Sequence, residues 1–239
     1  MLSYDRGKVM IKTLLWDIDG TLLNFLAAEH DAIKACFALF GLGQCTDEMI
    51  ARYSQINTKY WKRLELGEIT KAQVLRGRFE EFFAAEGIAF DRIDELNAEY
   101  QLRLGDTVCY NDDSLSLVRR LKSRVRQYAV TNGTSVAQSR KLTRSGLGEL
   151  FDGVFISDEV GFEKPAAAFF DRVFEAISPC GRREAMIVGD SLTSDIKGGN
   201  NAGIITCWYN PQKLKNTAGV HVDYEIADLR EVEELLEKV

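Results

Sequence analysis

The stretch Ile11-Lys12-Thr13-Leu14-Leu15-Trp16-Asp17-Ile18-Asp19-Gly20-Thr21 decides the fold. Leu14, Leu15 and Trp16 are apolar at successive positions, and the run stops abruptly at Asp17. Unbroken apolar character over a few residues, without alternation, marks a strand buried on both faces, as in a parallel sheet. Four later runs have the same texture: Gln127–Val130, Val154–Ile156, Ala185–Val188 and Ile204–Trp208. Helical patterns lie between or beside them at Ser114–Lys122, Ser135–Ser145, Pro165–Ile177 and Ser191–Ala202, and Asp228–Lys238 closes the series. Strand and helix alternating in this way predict a doubly wound α/β sheet with right-handed crossovers.

One stretch breaks the rhythm. From about Phe25 to Gly105 four helical patterns follow one another, Ala27–Phe40, Asp47–Leu66, Lys71–Glu86 and Ile93–Leu104, with no convincing strand. Gly41-Leu42-Gly43, Gly67 and Gly87 punctuate them as helix C-caps, and Thr46 and Thr70 stand where helices start. The expected organisation is therefore an α/β core of residues 1–23 and 106–239, interrupted by an all-helical insert of residues 24–105. Phe79, Phe82 and Phe83 are expected in the core of that insert rather than around a cofactor.

Composition narrows the function classes. The chain has 239 residues, 46% of them hydrophobic and 28% charged, with 3 Pro, which is ordinary for a globular protein. A net charge of -6 argues against a nucleic-acid partner, which would call for a basic face. No apolar run reaches the length of a membrane span. The first ten residues hold Asp5, Arg6 and Lys8 and no apolar centre, so no secretory leader is expected and the location is read as cytoplasmic. Five widely spaced cysteines without a CxxC pair, and only His30 and His221, leave no zinc pattern; reduced, mostly buried thiols are expected. No P-loop or dinucleotide fingerprint is present.

Four of the apolar runs lead into residues able to handle a phosphate. The first ends in Asp17-Ile18-Asp19-Gly20-Thr21, the second in Thr131-Asn132-Gly133. Lys164-Pro165 opens a helix after the third, and the fourth gives Gly189-Asp190-Ser191, with Asp195 close behind. In an open parallel sheet the carboxyl ends of the strands line the ligand crevice, so these residues should converge. Asp17 can act as a nucleophile toward phosphorus where a cation offsets the charge repulsion. Asp19, two residues on, faces the same side and can give and take a proton. Thr131 and Asn132 can donate to phosphoryl oxygens, Lys164 supplies a positive charge, and Asp190 and Asp195 are oxygen donors suited to Mg2+. Each has a plainer alternative: a turn for Asp-x-Asp-Gly, helix capping for Thr131, Asn132 and Asp190, a solvated surface for Lys164.

Together, and in this order, these segments resemble the four motifs of the haloacid dehalogenase-like (HAD) hydrolase superfamily, and the helical insert resembles its C1-type cap. The resemblance implies a Rossmann-like core with an inserted all-helical cap that closes over substrate. It implies Asp17 as the nucleophile that becomes aspartyl-phosphate, Asp19 as general acid and then base, and Thr131, Asn132 and Lys164 as phosphoryl ligands. It implies Mg2+ held by Asp17, the backbone carbonyl of Asp19 and Asp190, with Asp195 direct or in support. The superfamily's dehalogenases lack the second aspartate of the first motif, so Asp19 points to phosphoryl transfer. Its phosphonatases use a cap lysine, and Lys34, Lys59, Lys62 and Lys71 are the positions where that role could fall.

Residues 189–210 and Ser157–Pro165 are similar, more narrowly, to pyrimidine 5'-nucleotidases of the YjjG type. That likeness implies a small phosphorylated substrate, a nucleoside monophosphate above all, for a monomer or small homo-oligomer. Sugar phosphates, an N-acylneuraminate 9-phosphate, phosphomutase chemistry and a non-catalytic binding role are the alternatives. Phe25, Tyr60 and Trp61 are the insert aromatics that could stack on a base, with packing as their other use. The acid surplus then becomes partly a metal site, which a phosphate can enter because Mg2+ and Lys164 meet it there.

Overall fold

A computed structural model describes residues 10–238. Residues 1–9, whose sequence carries the expectation of no secretory leader, and Val239 lie outside the described residues. The six strands are β1 (Thr13–Trp16), β2 (Arg126–Thr131), β3 (Gly153–Ile156), β4 (Ala185–Gly189), β5 (Ile205–Tyr209) and β6 (Tyr224–Ile226). They form one parallel sheet in the order β3-β2-β1-β4-β5-β6. β1 and β4 are buried at every position, as their unbroken apolar runs require. The helices are α1 (Phe25–Phe40), α2 (Asp47–Glu65), α3 (Lys71–Glu86), α4 (Ile93–Leu104), α5 (Ser114–Leu121), α6 (Ser135–Ser145), α7 (Ser157–Val160), α8 (Ala167–Ala176), α9 (Lys197–Ala202) and α10 (Glu231–Lys238).

The chain runs from β1 outward through β2 and β3, then crosses to β4 on the other side of β1. The winding direction reverses between β1 and β4, which opens a crevice at their carboxyl ends. The expected helix Ser191–Ala202 is instead a π-helical turn, Leu192–Ile196, followed by α9. The side chain of Asp195 folds back into hydrogen bonds of its own, and that tertiary demand overrides regular winding.

Contacts divide the chain into two compact units. One holds the sheet, from the described N-terminal residues to Leu23, with Tyr110–Asn132 and the chain from Gly146 onward. The other holds Asn24–Cys109 together with Gly133–Ser145, so α6 groups with α1–α4. Its core is aromatic: Tyr53 stacks on Phe79 at 5.2 Å, Tyr100 meets Phe79 edge-on at 5.2 Å, and Phe82 and Phe83 are buried beside them. Each such ring buried contributes about 2–3 kcal/mol. Thr46 and Thr70 cap α2 and α3 through their side chains, Thr70 in a reciprocal capping box with Gln73, and Gly41 and Gly87 end α1 and α3 in the left-handed region. A polar seam crosses this core. Glu29 accepts from Ser54 and Asn57, and Asn57 accepts from Arg78. Burial pushes the Glu29 carboxyl above its ordinary range.

All five cysteines are free, but only Cys36 and Cys207 are fully buried; Cys45 and Cys180 are half-buried and Cys109 is exposed. Among the described residues, no helix is long and apolar enough to cross a membrane.

Candidate active site

Trp16 pairs with Ala129 of β2 and Val188 of β4, and the Asp17 amide extends that ladder to Val188 O at 3.0 Å. Asp17 is therefore delivered to the crevice by the most buried strand pair of the sheet. Its Oδ1 accepts from Lys164 Nζ at 2.8 Å and its Oδ2 from the Thr21 hydroxyl at 2.9 Å. Both oxygens are held, so the carboxylate has one orientation. One carboxylate oxygen from each of Asp17, Asp190 and Asp195 lies within 4.8 Å of the others. The Asp19 carboxylate is not in that set; the resemblance assigns its carbonyl instead.

Lys164 is 1% exposed and spends all three ammonium protons: on Asp17 Oδ1, on Asp195 Oδ1 at 2.7 Å and on Val130 O at 2.8 Å. Burial alone would discharge the amine, but Asp17 and Asp195 more than offset it and hold the ammonium charged. Asp195, also 1% exposed, uses its other oxygen to accept from the Ser191 amide at 3.1 Å. Asn132 grips the same lysine by its backbone: Nδ2 donates to Lys164 O and Oδ1 accepts from Lys164 N, both at 2.8 Å. Its carboxamide is thus a brace for the lysine. Thr131 closes β2, buried, in register with Ile156.

The carboxylates repel one another. Burial pushes Asp17 up to about 7 from an ordinary 3.8, with Asp195 and Asp19 adding to the rise and Lys164 opposing it. Asp190 also lies well above its ordinary value, through loss of water around the carboxylate and the charges of Asp17 and Asp195. Because the residue keeps an exposed face, the like charge is the cause that carries weight there. Three crowded carboxylates and one ammonium leave an excess of negative charge. An all-oxygen acidic set of this kind fits a hard divalent cation.

Two glycines make the crowding possible. Gly20 has φ +90°, and a Cβ on it would sit 2.6 Å from Asp190 Oδ2. A Cβ on Gly189 would sit 2.3 Å from Asp195 Cγ. Gly189→Ala is expected to displace Asp195 from Lys164, lowering stability by about 1–3 kcal/mol. Denaturant midpoints and calorimetric cation titration check this; both should fall together.

Thr21 has a role that its place in the sequence does not announce. Its hydroxyl faces Asp17 and, at 3.2 Å, Asp190 Oδ1, and accepts from the Asp190 amide at 3.1 Å. With one proton to give, it serves one carboxylate at a time. Trp208 was also missed: it is 3% exposed and its indole N–H fixes Asp190 O at 2.9 Å. The signal lay in the register, since Gly189 pairs with Trp208 across β4 and β5. In the helical unit, Phe25 packs on the aromatic core under Lys141 Nζ, and Tyr60 lies between Lys59 and Arg63. Lys34 and Lys59 are tied to Asp47 and Glu81 in exposed ion pairs.

The chain is similar to known proteins over nearly its whole length. The chain is 36% identical over 231 residues to the pyrimidine 5'-nucleotidase PynA of Streptococcus pneumoniae, covering 95% of each chain. It is 31% identical over 223 residues to the pyrimidine 5'-nucleotidase YjjG of Escherichia coli, covering 93% of this chain and 96% of that one. The crystal structure of the HAD-hydrolase YfnB from Bacillus subtilis, bound to magnesium, superposes with a TM-score of 0.90 at 36% identity, over 95% of this chain and 99% of that one. The haloacid dehalogenase-like hydrolase family model matches residues 11–203, a span that holds every acidic and basic residue of the crevice. The chain is an enzyme that belongs to the haloacid dehalogenase-like hydrolase family.

Proposed function

We propose that the chain is a Mg2+-dependent phosphomonoesterase that works through a phosphorylated Asp17 and acts on pyrimidine nucleoside 5'-monophosphates. The observation that carries this reading is the Asp17–Asp190–Asp195 set, the first two just past β1 and β4 and the third in the turn that follows β4, with a buried ammonium on Asp17. The likeness to two pyrimidine 5'-nucleotidases over nearly the whole chain supports the substrate class. The magnesium bound to YfnB supports the choice of cation.

Asp17, Asp190 and the Asp19 carbonyl would hold the cation, with Asp195 acting through Lys164 and the Ser191 amide. When bound there, it would offset the repulsion between these carboxylates and a phosphate dianion and would supply Lewis-acid polarisation of the phosphoryl group. Asp17 attacks phosphorus along an orientation set by Lys164 and Thr21. The bond from phosphorus to the leaving oxygen breaks, and that oxygen takes its electron pair and the proton of Asp19. Thr131 faces the charge on the phosphoryl oxygens, and Lys164, its protons spent on Asp17, Asp195 and Val130 O, offsets that charge as a fixed positive centre. In the second half, Asp19 takes a proton from water as the water attacks phosphorus, releasing phosphate and restoring the Asp17 carboxylate. The helical unit serves as the cap that excludes bulk water from this step.

A turnover screen with Mg2+ tests the substrate class, across nucleoside 5'-monophosphates, sugar phosphates and N-acylneuraminate 9-phosphate. The expected result is a kcat/KM for UMP, dUMP and dTMP at least about tenfold above that of purine nucleotides and sugar phosphates. Equal rates across the panel would remove the pyrimidine assignment and leave a general phosphatase.

A further inference from the structure

The turn that carries Asp19 lies outside the sheet. β1 ends at Trp16, and the chain doubles back so that the Gly20 amide donates to Leu23 O at 2.8 Å and the Leu23 amide to Ile18 O at 2.9 Å. The placement of Asp19 therefore depends on what holds this turn. Three successive carbonyls of it, on Gly20, Thr21 and Leu22, accept from one distant segment. Asn111 Nδ2 uses both its protons, one on Gly20 O at 3.0 Å and one on Thr21 O at 2.9 Å. The Asn111 amide donates to Leu22 O at 3.1 Å, and the Ser114 hydroxyl to the same oxygen at 2.7 Å. Backbone carbonyls need a donor from elsewhere when their own turn supplies none, and Asn111 and Ser114 supply it here.

The support of Asn111 is itself rigid. Asp112, next to it, sits in the left-handed region with φ 46°, and its Oδ2 accepts from the Tyr209 hydroxyl at 3.1 Å and the Leu229 amide at 2.8 Å. A strained backbone of this kind persists only where its surroundings over-determine it. Asn111 is thus fixed to β5 and to the segment before α10 on one side, and to the Asp19 turn on the other.

We propose that Asn111 is a positioning residue for proton transfer: its carboxamide fixes the turn so that the Asp19 carboxylate meets the leaving oxygen. Both protons of its carboxamide are spent on the turn, so it acts through Asp19. The proposal rests on the reading of Asp19 as the general acid.

The test compares two leaving groups. A nucleoside alkoxide needs a proton to leave, whereas 4-nitrophenolate leaves with little help. Asn111→Ala is expected to lower kcat/KM for UMP about tenfold more than for 4-nitrophenyl phosphate. Asn111→Asp, which keeps the shape and loses the donors, should show the same selective loss, so the result does not hang on one variant folding. Asp19→Asn should show it more strongly, and adding Asn111→Ala to Asp19→Asn should add no further selectivity. Equal losses on both substrates in Asn111→Ala and Asn111→Asp, or added selectivity in the double variant, would overturn the positioning role. An unselective Asp19→Asn, or a wild type inactive on both esters, would instead remove the reading of the site on which it rests.

Discussion

Replacing Asp17 with asparagine should reduce turnover by on the order of 10^4-fold or more while leaving the protein folded. The amide has nearly the same shape: its oxygen can still accept from Lys164, and its NH2, in the place of Oδ2, can donate to the Thr21 hydroxyl, the two groups that orient the carboxylate. It is a poor nucleophile, and no other carboxylate in the set is held in the same way: Asp195 spends both oxygens on Lys164 and the Ser191 amide. The same variant makes a stability prediction. Burial and like charge raise Asp17 to about 7 in the folded chain, against an ordinary 3.8. Between those values the folded state binds the proton and the unfolded state does not, so this group makes stability fall as pH rises from about 4 to 7. Asp17→Asn removes that contribution. Thermal unfolding in chelator should show a decline for the wild type over that window and a shallower one for the variant. Equal slopes would mean that Asp17 is not under the pressure the geometry implies.

Lys164→Met should cost both fold and function. Among the described residues, Lys164 is the one ammonium that touches Asp17 and Asp195, and it is buried with them. Removing one partner of a buried ion pair typically costs about 3–5 kcal/mol, because the charge left behind has no compensation. Here two carboxylates are left behind, and the backbone grip of Asn132 on residue 164 no longer places an ammonium. Activity should fall by about 10^2–10^3-fold, the scale of losing one preorganised charge at a reacting group. The stability loss should be largest in chelator and should shrink as a divalent cation is added, since the remaining acidic set binds it without competition from an ammonium. A variant as stable as the wild type in chelator would show that Lys164 does not balance the carboxylates. Lys164→Arg should not restore activity, because a planar fork cannot place three protons on Asp17, Asp195 and Val130 O from a point buried this tightly.

The sheet was legible where burial on both faces leaves no alternation to read: β1 and β4 stand out in the sequence, and with them the positions of Asp17 and Asp190. β6 was not legible. It is three residues, Tyr224–Ile226, with an exposed Glu225 in the middle, and pairing to β5 makes it a strand. The π-helical turn at Leu192–Ile196 was not legible either, since it exists because Asp195 reaches Lys164, 31 residues away. Nothing in the pattern of Ser135–Ser145 says that α6 packs with the helices of the insert, where Ala137 joins the aromatic core. The candidate site shows the same division. Aspartates at strand ends declare themselves because a strand end is a fixed address. A lone lysine reads as surface until two carboxylates are found to surround it. Asn111 beside Asp112 and Asp113 reads as an ordinary turn, and its work emerges only from contacts 90 and 91 residues away.

In the proposed reaction a phosphoryl group passes through Asp17. An acid quench during steady-state turnover of UMP preserves an acyl phosphate, and borohydride then reduces that one side chain to its alcohol. Peptide mass spectrometry should find homoserine in place of Asp17, only when substrate is present and never in Asp17→Asn. An actively turning-over enzyme that shows no reduction at Asp17, or reduction at another carboxylate, would rule out phosphoryl transfer to Asp17.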